Sequence, residues 1–283
     1  MKIPVITLLA LLVFACTIRA QQAPARLLVR GDDMGFTHAG NEGLIKTFRE
    51  GIARSIEVIV PSPWFPEAVA MLKKHPGIDI GIHLALTSEW EMVKWRPLTF
   101  CPSLTDSNGY FFPMISPNKN YPGQSLKEHH WKLDEVEKEL RAQIAMAVRL
   151  LPGITHVSAH MGCNDLNQDV NAMVRKLAKE YHIDIDPAEL NVEGVGYGGP
   201  SGTTAEKLTS FLKMIESLRP GKTYMFVDHP AIDGPEIRAV YHIGYENVAA
   251  DRQGVTDVWT HPRVIEALKK RKIQLISYAD LVK

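Results

Sequence analysis

The chain has 283 residues, of which 45% are hydrophobic and 23% charged, with 11 histidines. That is a globular composition, long enough for one large α/β domain or two small ones. Its 32 basic and 32 acidic side chains cancel, so nothing in the charge points to nucleic acid or another polyanion as partner.

In chain order, residues 1–20 read as a secretory signal peptide. Lys2 gives a basic start, Ile6 to Ala15 is an apolar run too short for a stable bilayer anchor, and Ile18-Arg19-Ala20 ends on a small residue. The expectation is therefore an exported protein, periplasmic or secreted, with residues 21–283 as one domain and no transmembrane segment in the mature chain. A second reading attaches lipid at Cys16, because Val13-Phe14-Ala15-Cys16 loosely resembles a lipoprotein box, although the bulky Phe14 fits it poorly. Cys101 and Cys163 are then left, free or paired. No Cys-x-x-Cys spacing exists for a structural zinc knuckle.

Strands and helices then alternate. Leu27 to Arg30 predicts a first strand, His38 to Glu50 a helix, and β-branched Ser55 to Val60 a second strand stopped by Pro61 and Pro63. Pro66 to Lys74 reads as a helix and Ile78 to Leu86 as a third strand. From Thr87 to Gln124 the periodicity collapses into a long loop holding Trp90, Trp95, Tyr110, Phe111, Phe112 and Tyr121. Such loops are often functional. Its aromatic rings either serve as platforms for sugars or pack down on one another.

Ser125-Leu-Lys-Glu128 matches a capping box and predicts a helix to about Leu150, with Leu133, Val136, Leu140, Ile144 and Val148 on one face. Thr155 to Ala159 reads as a fourth strand, Asp169 to Tyr181 as a helix, and Ile183 to Asp186 as a fifth strand. Glu193 to Gly202 is a glycine-rich loop too irregular to cradle phosphate, and Thr203-Thr-Ala-Glu206 caps a helix to Leu218. Thr223 to Val227, a helix over Pro262 to Arg271, and Ile273 to Ile276 complete the set. Seven short strands with intervening helices, no repeat and no linker predict one parallel, barrel-like α/β domain, with an open doubly wound sheet as the other solution.

The strand ends carry the chemistry. Asp32 and Asp33 follow the first strand, His83 closes the third, His160 the fourth, and His229 follows the sixth. In a parallel barrel these ends gather on one face. Two imidazoles and a carboxylate suffice for a catalytic divalent metal with positions open for water and substrate. Adjacent aspartates suggest divided labour, one holding the metal and the other taking a proton from its water, with His229 as the acid for the leaving group. Nucleophilic plans lack their signatures: there is no Gly-x-Ser-x-Gly elbow and no His-Glu-x-x-His motif. Cys163, three residues after His160, has no clear geometry as a nucleophile. His75, His129, His130, His182, His242 and His261 read as solvated, and His38 and His156 receive no role.

At these residues the chain resembles the YdjC-like carbohydrate deacetylases, the chitooligosaccharide deacetylase family. Gly31-Asp-Asp-Met-Gly-Phe36, Gly81-Ile-His-Leu-Ala-Leu-Thr87 and Thr155-His-Val-Ser-Ala-His160 carry the resemblance. Pro102 to Gly109, Asp228-His229-Pro230 and Gln274 to Leu281 extend it over nearly the whole mature chain. The resemblance implies a distorted seven-stranded (β/α) barrel of the polysaccharide-deacetylase type. It also implies one divalent metal, zinc or magnesium with nickel or cobalt as alternatives, held by Asp33, His83 and His160. Asp32 would be the general base and His229 the general acid. The substrate would be an N-acetylated amino sugar or oligosaccharide, and the products acetate and a free amine. Oligomeric state stays open, a homodimer included. Departures from the family pattern lie at Ser158, Met161 and Gly162, where the environment that orients His160 is expected to change, and at Met34 and Ala231. Another metal-dependent esterase or hydrolase on the same barrel, or a catalytically silent sugar-binding protein, are the competing readings.

Overall fold

A computed structural model describes residues 23–283, so the expected signal peptide and Cys16 lie outside the described residues. Strands β1 (Arg26–Met34), β2 (Ser55–Val58), β3 (Asp79–Leu84), β4 (Ile154–Ala159), β5 (Val192–Val195), β6 (Thr223–Asp228) and β7 (Gln274–Ile276) form one sheet. Every ladder is parallel, in the order β4-β3-β2-β1-β6-β5. Strand β1 is the hub. One edge pairs with β6; the other takes β7 along Arg26–Leu28 and then β2 from Arg30 onward. Tyr278, just past β7, stacks on His156 of β4 at 3.3 Å between ring centroids, a contact that requires the sheet to curl. Among the described residues no ladder joins β4 to β5, so the barrel is distorted and open along that seam.

Helices α1 (His38–Glu50), α2 (Phe65–Lys74), α3 (Leu133–Leu150), α4 (Gln168–Glu180), α5 (Thr204–Ser217), α6 (Pro235–Arg238), α7 (Val248–Trp259) and α8 (Pro262–Lys270) pack outside the sheet. Outward-facing Ile56, Val58, Ile80 and Ile82 form a core with helices such as α1, α2, α3 and α4, while Leu27, Val29 and Phe226 pack with α5, α7 and α8. Inside the curl the apolar cluster is small, Leu28, Ile276 and Tyr278. Half-buried Arg30 and buried Glu57, Asp79 and His156 fill much of the rest with hydrogen-bonded polar groups. Among the described residues no helix is long and apolar enough to cross a membrane.

Several elements differ from the sequence reading. Ile183 to Asp186 is not a strand: it makes one backbone bond to β4, from Ile185 N–H to the Thr155 carbonyl, before Asp186 caps the turn at Pro187. Capping chemistry wins there over alternation. The fifth strand lies instead at Val192–Val195, overlapping the start of the stretch read as a glycine-rich loop, because four residues with an internal glycine carry too little pattern. The Ser125–Glu128 box is real but closes a single turn, Leu126–Glu128, and α3 begins only at Leu133. On α3, Val136, Leu140 and Ile144 are buried, whereas Leu133 and Val148 are exposed. The buried stripe is completed by polar Glu139 and Gln143, which bond the backbone of Leu98, Thr99 and Ala85 and so fasten the long loop. That loop packs on itself: Trp90, Trp95, Phe111, Phe112 and Tyr121 are all buried, so it is packed core rather than an array of exposed rings. Helices α6 and α7 were legible only as loop. The buried side of α7 includes Arg252, Gly254 and Thr256, which mask its period.

Candidate metal centre

The aspartate pair sits in a bulge. Gly31 pairs with Ile56 and Met34 with Val58, so β1 carries one residue more than β2 opposite Glu57. In a regular strand, consecutive side chains point to opposite faces. Asp33 instead adopts a left-handed backbone, φ 69°, and both carboxylates face the same imidazole. Asp32 Oδ2 is 3.8 Å and Asp33 Oδ1 3.6 Å from His83 Nε2. A left-handed residue other than glycine costs about 1–2 kcal/mol. Arg252 Nη2 donates to Asp33 Oδ2 at 2.8 Å, and the Gly35 N–H donates to Asn41 Oδ1 at 2.7 Å, which together hold the turn.

Asp33, His83 and His160 each present one ligand atom, and these atoms lie within 4.8 Å of one another. Hydrogen bonds at the far nitrogens orient both rings. His160 Nε2 donates to Glu89 Oε2 at 2.9 Å, which turns Nδ1 toward Asp33 Oδ1, 3.2 Å away. His83 Nδ1 donates to Ser158 Oγ at 2.7 Å, which leaves the Nε2 lone pair facing the aspartates. Asp33 Oδ1 is buried without a hydrogen-bond partner. Donor–metal distances of about 2.0–2.1 Å in a tetrahedral site would separate ligand atoms by about 3.4 Å. The observed separations of 3.2 and 3.6 Å fit such an ion, and the orphaned carboxylate oxygen is what an ion would satisfy.

Electrostatics agree with that arrangement. Burial would raise the Asp33 carboxyl, but His229, Arg252 and His160 hold it well below the usual range. Burial, with His160 and Arg30, brings His83 down to about 4 against the pull of Asp32 and Asp33, so the ring is neutral at neutral pH, as a ligand must be. His160 goes the other way: burial is outweighed by Glu89 and Asp33, which push it up to about 10. An ion at Nδ1 would displace that proton.

Asp32 is gripped by Arg30, whose Nε and Nη2 reach Oδ1 and Oδ2 at 2.8 and 2.9 Å. His229 stands across the cleft with Nε2 4.0 Å from Asp33 Oδ2. Asp228 lies behind it, 3.5 Å from Nδ1, and accepts the Tyr197 hydroxyl at 2.7 Å. Burial lowers the His229 ring, but Asp33 and Asp228 outweigh it and raise the ring above the ordinary imidazole value. The cleft encloses about 260 Å³ and is walled by Trp90, Met161, His242, Tyr245 and Arg252.

All five residues singled out from sequence therefore line one cleft. Sequence reasoning missed Arg30, Glu57, Glu89 and Arg252, because no motif or spacing sets these charges apart from ordinary surface ones. Two expectations are corrected. Ser158 serves His83, while His160 is oriented by Glu89 from the long loop, so the change at Ser158 does not disturb the ligand it was assigned to. His242, read as solvated, packs on Trp90 at 5.5 Å as part of the wall. Cys101 and Cys163 are both free and buried, with burial raising their thiols to about 11 and about 12.

Known proteins are similar to this chain in sequence and in fold. A carbohydrate deacetylase of Geobacillus stearothermophilus is 26% identical over 270 residues, covering 92% of this chain and 99% of the relative. A carbohydrate deacetylase of Thermus thermophilus is 32% identical over 239 residues, covering 76% of this chain and 80% of the relative. A crystal structure from Enterococcus faecalis, provisionally described as a cellobiose-phosphate cleavage protein, shares the fold with a TM-score of 0.72 and 23% identity, covering 92% of this chain and 99% of that one. The model of YdjC-like proteins matches residues 26–270, from the start of β1 to the end of α8, and the chain belongs to that family.

Proposed function

We propose that this chain is a metal-dependent carbohydrate deacetylase that removes acetyl groups from N-acetylated amino sugars, releasing acetate and a free amine. One observation carries the reading: the bulge gives neighbouring carboxylates separate partners, Asp32 on Arg30 and Asp33 between His83 and His160. Relatives that are carbohydrate deacetylases support it. A divalent ion held by Asp33, His83 and His160 would polarise the acyl oxygen and acidify a water. Two nitrogens and one oxygen suit zinc, nickel or cobalt better than magnesium, which prefers oxygen donors.

The side chains supply the proton traffic. Asp32, aimed by Arg30, accepts the proton that the attacking water gives up. His229 donates to the departing nitrogen from the other side, and its raised pKa keeps the ring protonated to higher pH. Arg252 fixes Asp33 by its second oxygen and lies under Phe36 and Trp90, its guanidinium carbon 4.7 and 5.2 Å from their ring centroids. The reading includes export of residues 21–283 as one unit, on the strength of residues 1–20 alone. Acetate release from N-acetylglucosamine oligomers tests it. Activity should vanish on chelation, return with zinc and be absent from Asp33→Asn. Metal-loaded protein that cleaves acetyl esters but no acetamide would overturn the amide assignment.

A further inference from the structure

We propose that Glu57 is a positioning residue for the metal ligand His83, acting through the hydroxyl of Ser158; the proposal rests on the metal-site reading above. Glu57 lies on β2 opposite the aspartate bulge and is fully buried. Ser158 Oγ donates its only proton to Glu57 Oε2. The same oxygen must then accept from His83, and its 2.7 Å contact is with Nδ1. Each link fixes the next. The carboxylate orients the hydroxyl, the hydroxyl fixes the proton on Nδ1, and the Nε2 lone pair is left facing Asp33 Oδ1 at 3.6 Å. With its proton drawn toward a carboxylate, the serine oxygen is also a stronger acceptor, which makes the ring a better donor to a metal.

The surroundings are shaped for this carboxylate. Gly81 on β3 leaves the space it occupies: a Cβ there would collide with both Glu57 oxygens. The other oxygen, Oε1, is held by His156 Nε2, and His156 is fixed in turn by Thr155 and by the stacked Tyr278 ring. Stability alone gives little reason for such a group, because well-packed apolar side chains commonly replace buried ion pairs without loss. The polar group that the fold retains here is the one whose second oxygen reaches a ligand through Ser158.

Cobalt titration of the metal-free protein, read by calorimetry and by the visible absorption of the bound ion, tests the relay. Thermal unfolding of each metal-free variant separates binding from folding. Ser158→Ala and Glu57→Gln should each weaken cobalt binding about 10–100-fold and alter the spectrum. In the double variant Glu57→Gln/Ser158→Asp the carboxylate sits one link nearer His83. The amide introduced on β2 can still accept from His156 while donating to that carboxylate. The double variant should bind more tightly than Glu57→Gln and recover the wild-type spectrum. Wild-type affinity and spectrum in Ser158→Ala would overturn the relay, as would a double variant no better than Glu57→Gln. Should Glu57→Gln fail to fold, Ser158→Ala decides. Failure of the underlying site is distinct: the wild type would then bind no cobalt, or Asp33→Asn would bind it equally well.

Discussion

Exchanging Asp32 for Asn separates proton transfer from metal binding. Asp32 offers two oxygens to Arg30 at 2.8 and 2.9 Å and is 4% exposed. Asparagine keeps one acceptor and turns an N–H₂ toward a guanidinium that can only donate. Breaking a buried ion pair by removing one partner costs about 3–5 kcal/mol. The retained acceptor and the Tyr278 hydroxyl, 2.9 Å from Arg30 Nη1, place this variant near the lower end, about 3 kcal/mol. At about 2–4 °C per kcal/mol, the melting temperature should fall by about 6–12 °C. Loss of a general base should lower kcat about 10²–10⁴-fold, or about 3–5 kcal/mol in the barrier. Metal stoichiometry should not change, because His83, His160 and Asp33 are intact. Asp33→Asn should lose both metal and turnover, and asparagine tolerates the left-handed backbone there, so its effect reports ligation rather than strain. The measurements are acetate release and bound zinc per chain. If Asp32→Asn lost its zinc as readily as Asp33→Asn, or kept kcat within about threefold of wild type, the division of roles between the aspartates would be wrong.

Other outcomes follow from the same geometry. If His229 acts as the acid, activity should fall as pH rises through its pKa, which Asp228, 3.5 Å from Nδ1, helps to hold up. Removing the neighbouring charge with Asp228→Asn should move this alkaline limb toward lower pH; an unmoved limb would exclude His229 as its source. Glu57 is held down to about 2, burial being outweighed chiefly by His156, so its stabilisation is complete above about pH 4.3 and fades as pH falls toward 2. Acid unfolding of Glu57→Gln should accordingly be less steep over that window than wild type. A Cβ at Gly43 would meet the Ala231 backbone at 2.5 Å, so Gly43→Ala should force α1 off the loop behind His229 at about 1–3 kcal/mol, visible in urea unfolding. Since both described cysteines are free, reductant should leave the melting temperature unchanged.

Much of the site was legible because barrel geometry converts distant sequence into proximity. Alternation in Ile-Gly-Ile-His-Leu and the stop after Ser-Ala-His160 marked strand ends, and parallel strands bring their ends together. What stayed hidden depends on backbone geometry that no side chain announces. The sequence places the adjacent aspartates after a strand, but not the bulge at Asp33 that turns both toward one imidazole. Glu57 sits in a β-branched run and looks like the solvent side of a half-buried strand, yet it faces a polar interior. Glu89 and Arg252 come from stretches without period, so only packing shows what they touch. On α3 the sequence suggested a wider apolar face because Glu139 and Gln143 bury their polar groups against loop backbone, a role that hydrophobicity does not encode.

The position of β1 has a consequence for the order of assembly. Arg26 is paired with Thr223 on one edge and with Gln274 on the other, so the central strand has only β2 as a partner until residues 223–276 have been made. Leu27, Leu28 and Val29, wholly buried in the end state, therefore stay incompletely covered until those residues are made. Such distant pairings form slowly and leave the chain open in the meantime. The segment through β7 and Tyr278 acts as a latch: its backbone docks on β1, the Tyr278 N–H closes on Asp79, and its hydroxyl reaches Arg30 behind Asp32. The base of the proposed reaction is thus set in place by a segment that lies 248 residues further along the chain than Arg30, and a nascent chain not yet through Tyr278 would carry an unfinished site.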